Sequence, residues 1–226
     1  MGKSFCLAIA AALSLAVSSA HAQLAEWTMP DPENRNDVTV DASYVDTSLI
    51  ESPVTLAAGS GLGARTHADE TGWSYIGFNQ ASIEDAMADN DYVGFTLTPL
   101  GSVGIDSLNT KLFFREAEEG QMSLQLFARQ ASDTDFAAVS DLVVIGDVGV
   151  GNERHFDLDF GIDMTVSEAV EFRLAMINRD ASQYNMVSFG GAAGEPGMTL
   201  AAVPEPASLA LLGLGGATLL IRRRRG

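Results

Sequence analysis

Apolar and polar residues alternate along most of the chain between residues 38 and 202. The clearest run is Arg154 to Met164. Phe156, Leu158, Phe160, Ile162 and Met164 fall on one face, and His155, Asp157, Asp159, Gly161 and Asp163 on the other. A period of two marks a strand with one buried face. Val170 to Ile177 repeats the pattern with Val170, Phe172, Leu174 and Met176. Met122 to Phe127 and Tyr92 to Leu97 do so over shorter spans. Further strands are predicted at Val38 to Val45, Trp73 to Phe78, Leu108 to Arg115, Leu142 to Gly146, Met186 to Phe189 and Met198 to Ala202. Turns rich in Gly, Asn and Asp separate them. About ten short strands at this spacing predict an all-β, two-sheet β-sandwich of jelly-roll order. One short helix is predicted at Ser82 to Ala88, with Ser82 as its cap and Asp85 three residues on.

Both ends of the chain depart from this pattern. Lys3 precedes a 13-residue apolar run, Phe5 to Val17, and then Ser-Ser-Ala-His-Ala. Ala20 and Ala22 occupy the A-x-A positions of a signal peptidase site, so residues 1–22 read as a signal peptide with Gln23 as the new N-terminus. The apolar run is short of the roughly 20 residues that a membrane span needs.

The C-terminus carries three ordered elements. Pro204, Glu205 and Pro206 form a stiff stretch in which two prolines remove backbone donors. Residues 207–221 follow without a charge; as a helix they extend about 22 Å, short for a hydrocarbon core of roughly 30 Å but coverable by snorkelling and local thinning. Arg222, Arg223, Arg224 and Arg225 then stop transfer and keep the C-terminus in the cytoplasm. This tail resembles the PEP-CTERM sorting signal of diderm bacteria: a Pro-Glu-Pro motif, a membrane helix and a basic cluster. The resemblance implies processing by the membrane protease exosortase and a setting of exopolysaccharide and biofilm. It implies an ectodomain first held outside the inner membrane, then released or transferred to the cell surface or matrix. Asp91-Tyr92-Val93-Gly94-Phe95-Thr96-Leu97-Thr98-Pro99 also resembles a strand of many PEP-CTERM ectodomains, which are β-sandwiches mostly without assigned activity. The domain division expected is 1–22, 23–203 and 204–226.

Charge narrows the partners. Of 13 Lys+Arg and 30 Asp+Glu in the chain, residues 23–203 hold 8 and 29, a net charge of −21. Such a surface repels nucleic acid and anionic lipid, and favours cations and solubility outside the cell. The only cysteine, Cys6, lies in the signal peptide. The remainder has no disulfide, thiolate metal site or cysteine nucleophile, and a middle of about 180 residues buries about 70% of its unfolded surface without them.

Catalytic patterns are scarce. There is no G-x-S-x-G elbow and no H-E-x-x-H. Beyond the signal peptide the histidines are His67, in a loop, and His155, on a polar strand face. Asp157, Asp159 and Asp163 share a strand face, where like charges repel unless bridged by a cation. Oxygen donors of this kind suit Ca²⁺, although the spacing is not that of an EF-hand and a solvated strand face is the favoured explanation. Asp89-Asn90-Asp91 and Asp133-Thr134-Asp135 read as turns. Trp27, Trp73, Tyr75, Tyr92 and Tyr184 are either core or a sugar-stacking platform. The expectation is a noncatalytic surface or matrix protein. A carbohydrate-binding module, Ca²⁺-dependent or not, and a polymer hydrolase with two facing carboxylates are the alternatives.

Overall fold

The computed structural model describes residues 22–28, 39–64, 73–114, 122–145, 154–178, 186–190 and 196–203. The expected elements at Ala20, at Pro204, Glu205 and Pro206, at residues 207–221 and at Arg222 to Arg225 lie outside them, as do His67 and Tyr184. Among the described residues no helix is long and apolar enough to cross a membrane. Residues Gln23–Ala202 form one compact unit.

Fifteen strands and one helix are described. They are β1 (Ala22–Thr28), β2 (Thr39–Asp41), β3 (Tyr44–Val45), β4 (Thr55–Ala58), β5 (Gly63–Ala64), β6 (Trp73–Ile76), α1 (Ile83–Asp89), β7 (Tyr92–Leu97) and β8 (Val103–Phe114). Then come β9 (Met122–Gln130), β10 (Ala137–Ala138), β11 (Val143–Ile145), β12 (Arg154–Val166), β13 (Val170–Asn178), β14 (Met186–Phe189) and β15 (Pro196–Ala202). One sheet has the order β3-β1-β15-β8-β14-β6-β5, with β12 also on β8. The second runs β10-β9-β13-β7-β4-β2, with β11 also on β9. The fold is the expected all-β sandwich of two sheets.

The alternating residues become the interior. Phe172 and Leu174 of β13, Leu124 and Leu126 of β9 and Phe95 of β7 face Leu108 and Leu112 of β8, Phe160 of β12 and Leu200 of β15, in one hydrophobic cluster. Rings join the layers: Trp27 on β1 meets Phe95 at 4.8 Å between centroids, and Phe95 stacks on Phe172 at 5.2 Å.

Some elements escaped the pattern for identifiable reasons. The single strand predicted at Val38 to Val45 is two strands in different sheets. The chain crosses between them at Ala42 and Ser43, whose amides donate to Val54 O and Glu26 O. β1 was not predicted because Leu24 and Ala25 are consecutive and both buried. β8 begins five residues before its predicted start. Its buried positions run Val103, Ile105, Ser107, then Leu108, Thr110, Leu112, so the period of two breaks between Ser107 and Leu108, next to Asp106. That break is a bulge: Ala201 pairs Ser107 while Ala202 pairs Ile105.

The helix forms nearly where expected. Ser82 Oγ accepts from the Asp85 amide at 3.1 Å, and Asn90 closes the helix in the left-handed conformation. Its buried Ile83 and Ala86 cover Ala175 and Ile177 on the outer face of β13.

Candidate functional site

The outer face of the first sheet holds the three aspartates singled out in the sequence. Asp157, Asp159 and Asp163 are exposed on β12, alternating with core-facing residues. Asp157 stands opposite Lys111, and Asp159 opposite Asn109. Asp163 is set apart from them by a bulge: Gly161 pairs Ser107, Met164 pairs Ile105, and Asp163 has φ 47°. Among the described residues no three His, Cys, Asp or Glu gather closely enough to hold a metal ion. The backbone conformation of Asp163 has a testable consequence. A β-branched side chain resists the left-handed region, so Asp163→Val costs about 1–2 kcal/mol. Asp157→Val and Asp159→Val, on ordinary strand backbone, stay within about 0.5 kcal/mol of the parent. Urea unfolding of the three variants reads the difference.

Beside these aspartates lies an open depression of about 390 Å³. Asp157, Asp159, Lys111, Asn109 and Thr199 supply its polar lining, and Pro196 and Gly197 one rim. β8, β12 and β15 bring these groups together, because Thr199 pairs Asn109 and Asn109 pairs Asp159 across three adjacent strands. The aspartates were visible in the sequence; Lys111, Asn109 and Thr199 were not, since only strand register places them alongside.

The outer face of the second sheet is built differently. The Arg173 guanidinium lies 4.2 Å from the Tyr92 ring centroid and 4.0 Å from that of Phe136, and Arg129 lies 4.5 Å from Phe136. Glu171 pairs with both arginines, at 2.7 Å to Arg173 and 2.8 Å to Arg129. Gly94 lies under this stack, where a Cβ would meet Phe172 O at 2.5 Å, so the close approach of the backbones requires glycine. Burial raises the Tyr92 pKa, with Arg173 opposing that shift. A second open depression, about 330 Å³, runs from Thr96 past Arg129 and Glu171 to Asp133. One carboxylate thus serves both guanidiniums, and Arg173 covers the rings that a sugar would stack on.

The remaining aromatic candidates divide clearly. Trp27 and Tyr75 are core residues, 3% and 0% exposed, with Tyr75 edge-on to Phe189. Trp73 contributes backbone to β6. His155 takes part in β12, paired with Phe113.

Against known proteins, residues 202–225 match the family model described as the PEP-CTERM protein-sorting motif. The chain ends in a PEP-CTERM sorting motif. Such a tail indicates an exported surface protein that is anchored at the membrane for sorting and processed by exosortase. The match begins at Ala202, the last residue of β15, so the PEP-CTERM motif follows the sandwich without a separate linker domain. No curated protein sequence matches the chain. Among solved structures, a non-crystalline cellulose specific carbohydrate-binding module is similar at TM-score 0.36 and 12% identity, over 65% of this chain and 82% of its own. An arabinose-bound α-L-arabinofuranosidase gives TM-score 0.30 and 14% identity over 80% of this chain and 26% of its own. A bacteriophage tailspike domain gives 0.23 and 9%, over 82% and 18%. Similarities this loose carry no argument about this chain.

Proposed function

We propose that this is a noncatalytic protein of the cell surface or extracellular matrix, placed by its PEP-CTERM tail and associated with host exopolysaccharide. The observation that carries the reading is the sorting motif at residues 202–225, joined directly to a single sandwich domain. Signal peptidase removes residues 1–22 and exosortase acts at the tail, at Pro204, Glu205 and Pro206. The acidic, thiol-free composition supports the same setting: a charged domain stays soluble outside the cell, and its core needs no disulfide.

A carbohydrate-binding module is the second reading, and the depression between β8, β12 and β15 favours it. Its carboxylates, amide, ammonium and hydroxyl face solvent together, which is the donor and acceptor mixture that polysaccharide hydroxyls require. Binding there would rest on hydrogen bonds rather than ring stacking.

The test is co-sedimentation of the full-length chain with exopolysaccharide purified from the host, in calcium and in chelator. The reading predicts sedimentation, reduced about tenfold or more in affinity by the double substitution Asp157→Ala, Asp159→Ala. Full sedimentation of that variant moves the ligand away from this depression. A protein that stays in the supernatant throughout contradicts direct polysaccharide binding and leaves a structural unit placed by its tail alone.

A further inference from the structure

The reading of residues 1–22 as a signal peptide makes Gln23 the first residue of the exported chain, and β1 fixes what surrounds it. Leu24 and Ala25 follow directly, and both are 0% exposed. The Leu24 carbonyl accepts from the Asp46 amide at 2.8 Å, and Ala25 and Glu26 pair with Val45 and Tyr44 of β3. A chain that starts at Gln23 therefore starts one residue from the core. Gln23 itself is partly exposed, and its side chain is held: Nε2 donates to Glu26 Oε2 at 2.7 Å. The other Glu26 oxygen, Oε1, accepts from Thr28 Oγ1 at 3.4 Å. Ser43 Oγ lies 2.6 Å from Thr28 Oγ1 and donates to the Glu26 carbonyl at 3.0 Å. The carboxylate is thus anchored on its far side, with one oxygen on the glutamine nitrogen.

We propose that Gln23 closes on itself to pyroglutamate once the signal peptide is removed, with Glu26 relaying the proton. The inference rests on cleavage after Ala22. The free α-amine attacks the side-chain Cδ. An N–Cδ bond forms, the Cδ–Nε2 bond breaks, and Nε2 leaves as ammonia. The amine gives up one proton and the departing nitrogen takes one, so the step balances without oxidant, reductant or co-substrate. Amine and amide belong to one residue, which removes the entropy of bringing them together. The amide nitrogen is a poor leaving group, and a side chain that hands it a proton accelerates its departure. Glu26 Oε2 is the oxygen in contact with that nitrogen. The product has lost the α-ammonium charge, and a lactam is closed to aminopeptidases, which need a free amine. Closure matters at this position, because trimming by one more residue takes the fully buried Leu24 out of the core.

The experiment follows the N-terminal tryptic peptide, Gln23 to Arg35, by mass spectrometry of the full-length chain exported by its host, sampled at intervals after a pulse of synthesis. An isotope-labelled open peptide, added at recovery, reports closure during handling. The proposal predicts a parent peptide lighter by one ammonia and blocked to stepwise N-terminal sequencing. Glu26→Gln keeps the size of the side chain but carries no group that relays a proton, and closes about tenfold more slowly. Unfolding the freshly exported parent in urea separates Gln23 from Glu26 and slows closure to the same rate, which decides the matter should Glu26→Gln fail to fold. A peptide that starts at Gln23 and stays open, or that closes equally fast with and without the folded Glu26 carboxylate, overturns the proposal. A peptide that starts at another residue refutes cleavage after Ala22 itself, and the inference falls with it.

Discussion

Replacing Phe172 with alanine lowers the unfolding free energy by about 3–5 kcal/mol. Phe172 is fully buried on β13, between β7 and β9, and its ring stacks at 5.2 Å on Phe95, which in turn meets Trp27 from the opposite sheet. Truncation removes the transfer free energy of a whole ring and leaves a cavity at the junction of both layers. The flanking strands cannot collapse into it, because β13 is hydrogen-bonded on both edges over most of its length. Without a disulfide or thiolate metal site in the sandwich, nothing covalent offsets the loss. Urea unfolding followed by circular dichroism measures it. A cost below about 1 kcal/mol would mean that the Trp27, Phe95 and Phe172 column is not the centre of the core.

The sequence made the core strands legible because their environment is simple. β7, β9 and β12 each have one buried face and one that is exposed or partly covered, β13 is covered on its outer face only where α1 lies on Ala175 and Ile177, and a period of two records that arrangement. The pattern failed where geometry breaks the period. Asp106 bulges out of β8, Ala42 and Ser43 carry the chain between sheets, and β1 buries two consecutive residues. The two-residue strands β5 and β10 are too short to carry a period at all. The candidate sites were legible only by halves. Asp157 and Asp159 stood out as a charged strand face, but Lys111 and Thr199 reach them only through pairing of segments far apart in sequence. Tyr92 was noted as an aromatic, whereas the pairing of Arg173 and Glu171 around it depends on the register of three strands. Asp89, Asn90 and Asp91 read as a turn because polar residues there ordinarily face water. Asn90 does close the helix as a turn residue, but the Gly59–Leu62 turn folds over the next position and buries Asp91.

Substituting alanine for Pro204, Glu205 and Pro206 together is expected to hold the chain at the membrane, the largest effect of any change considered. The apolar residues 207–221 and Arg222 to Arg225 remain, so the anchor persists while the recognition motif is gone. The sandwich ends at Ala202 and does not include the substituted residues, so stability is unchanged. The decisive measurement is intact-mass spectrometry of the parent and of this variant, expressed in a host with exosortase and recovered from the membrane, the cell surface and the medium. The account predicts a parent that has lost residues 1–22 and its C-terminal tail and lies outside the inner membrane. It predicts a variant that keeps the tail and stays in the membrane fraction. A parent that retains the tail, or a variant processed and distributed like the parent, would contradict it.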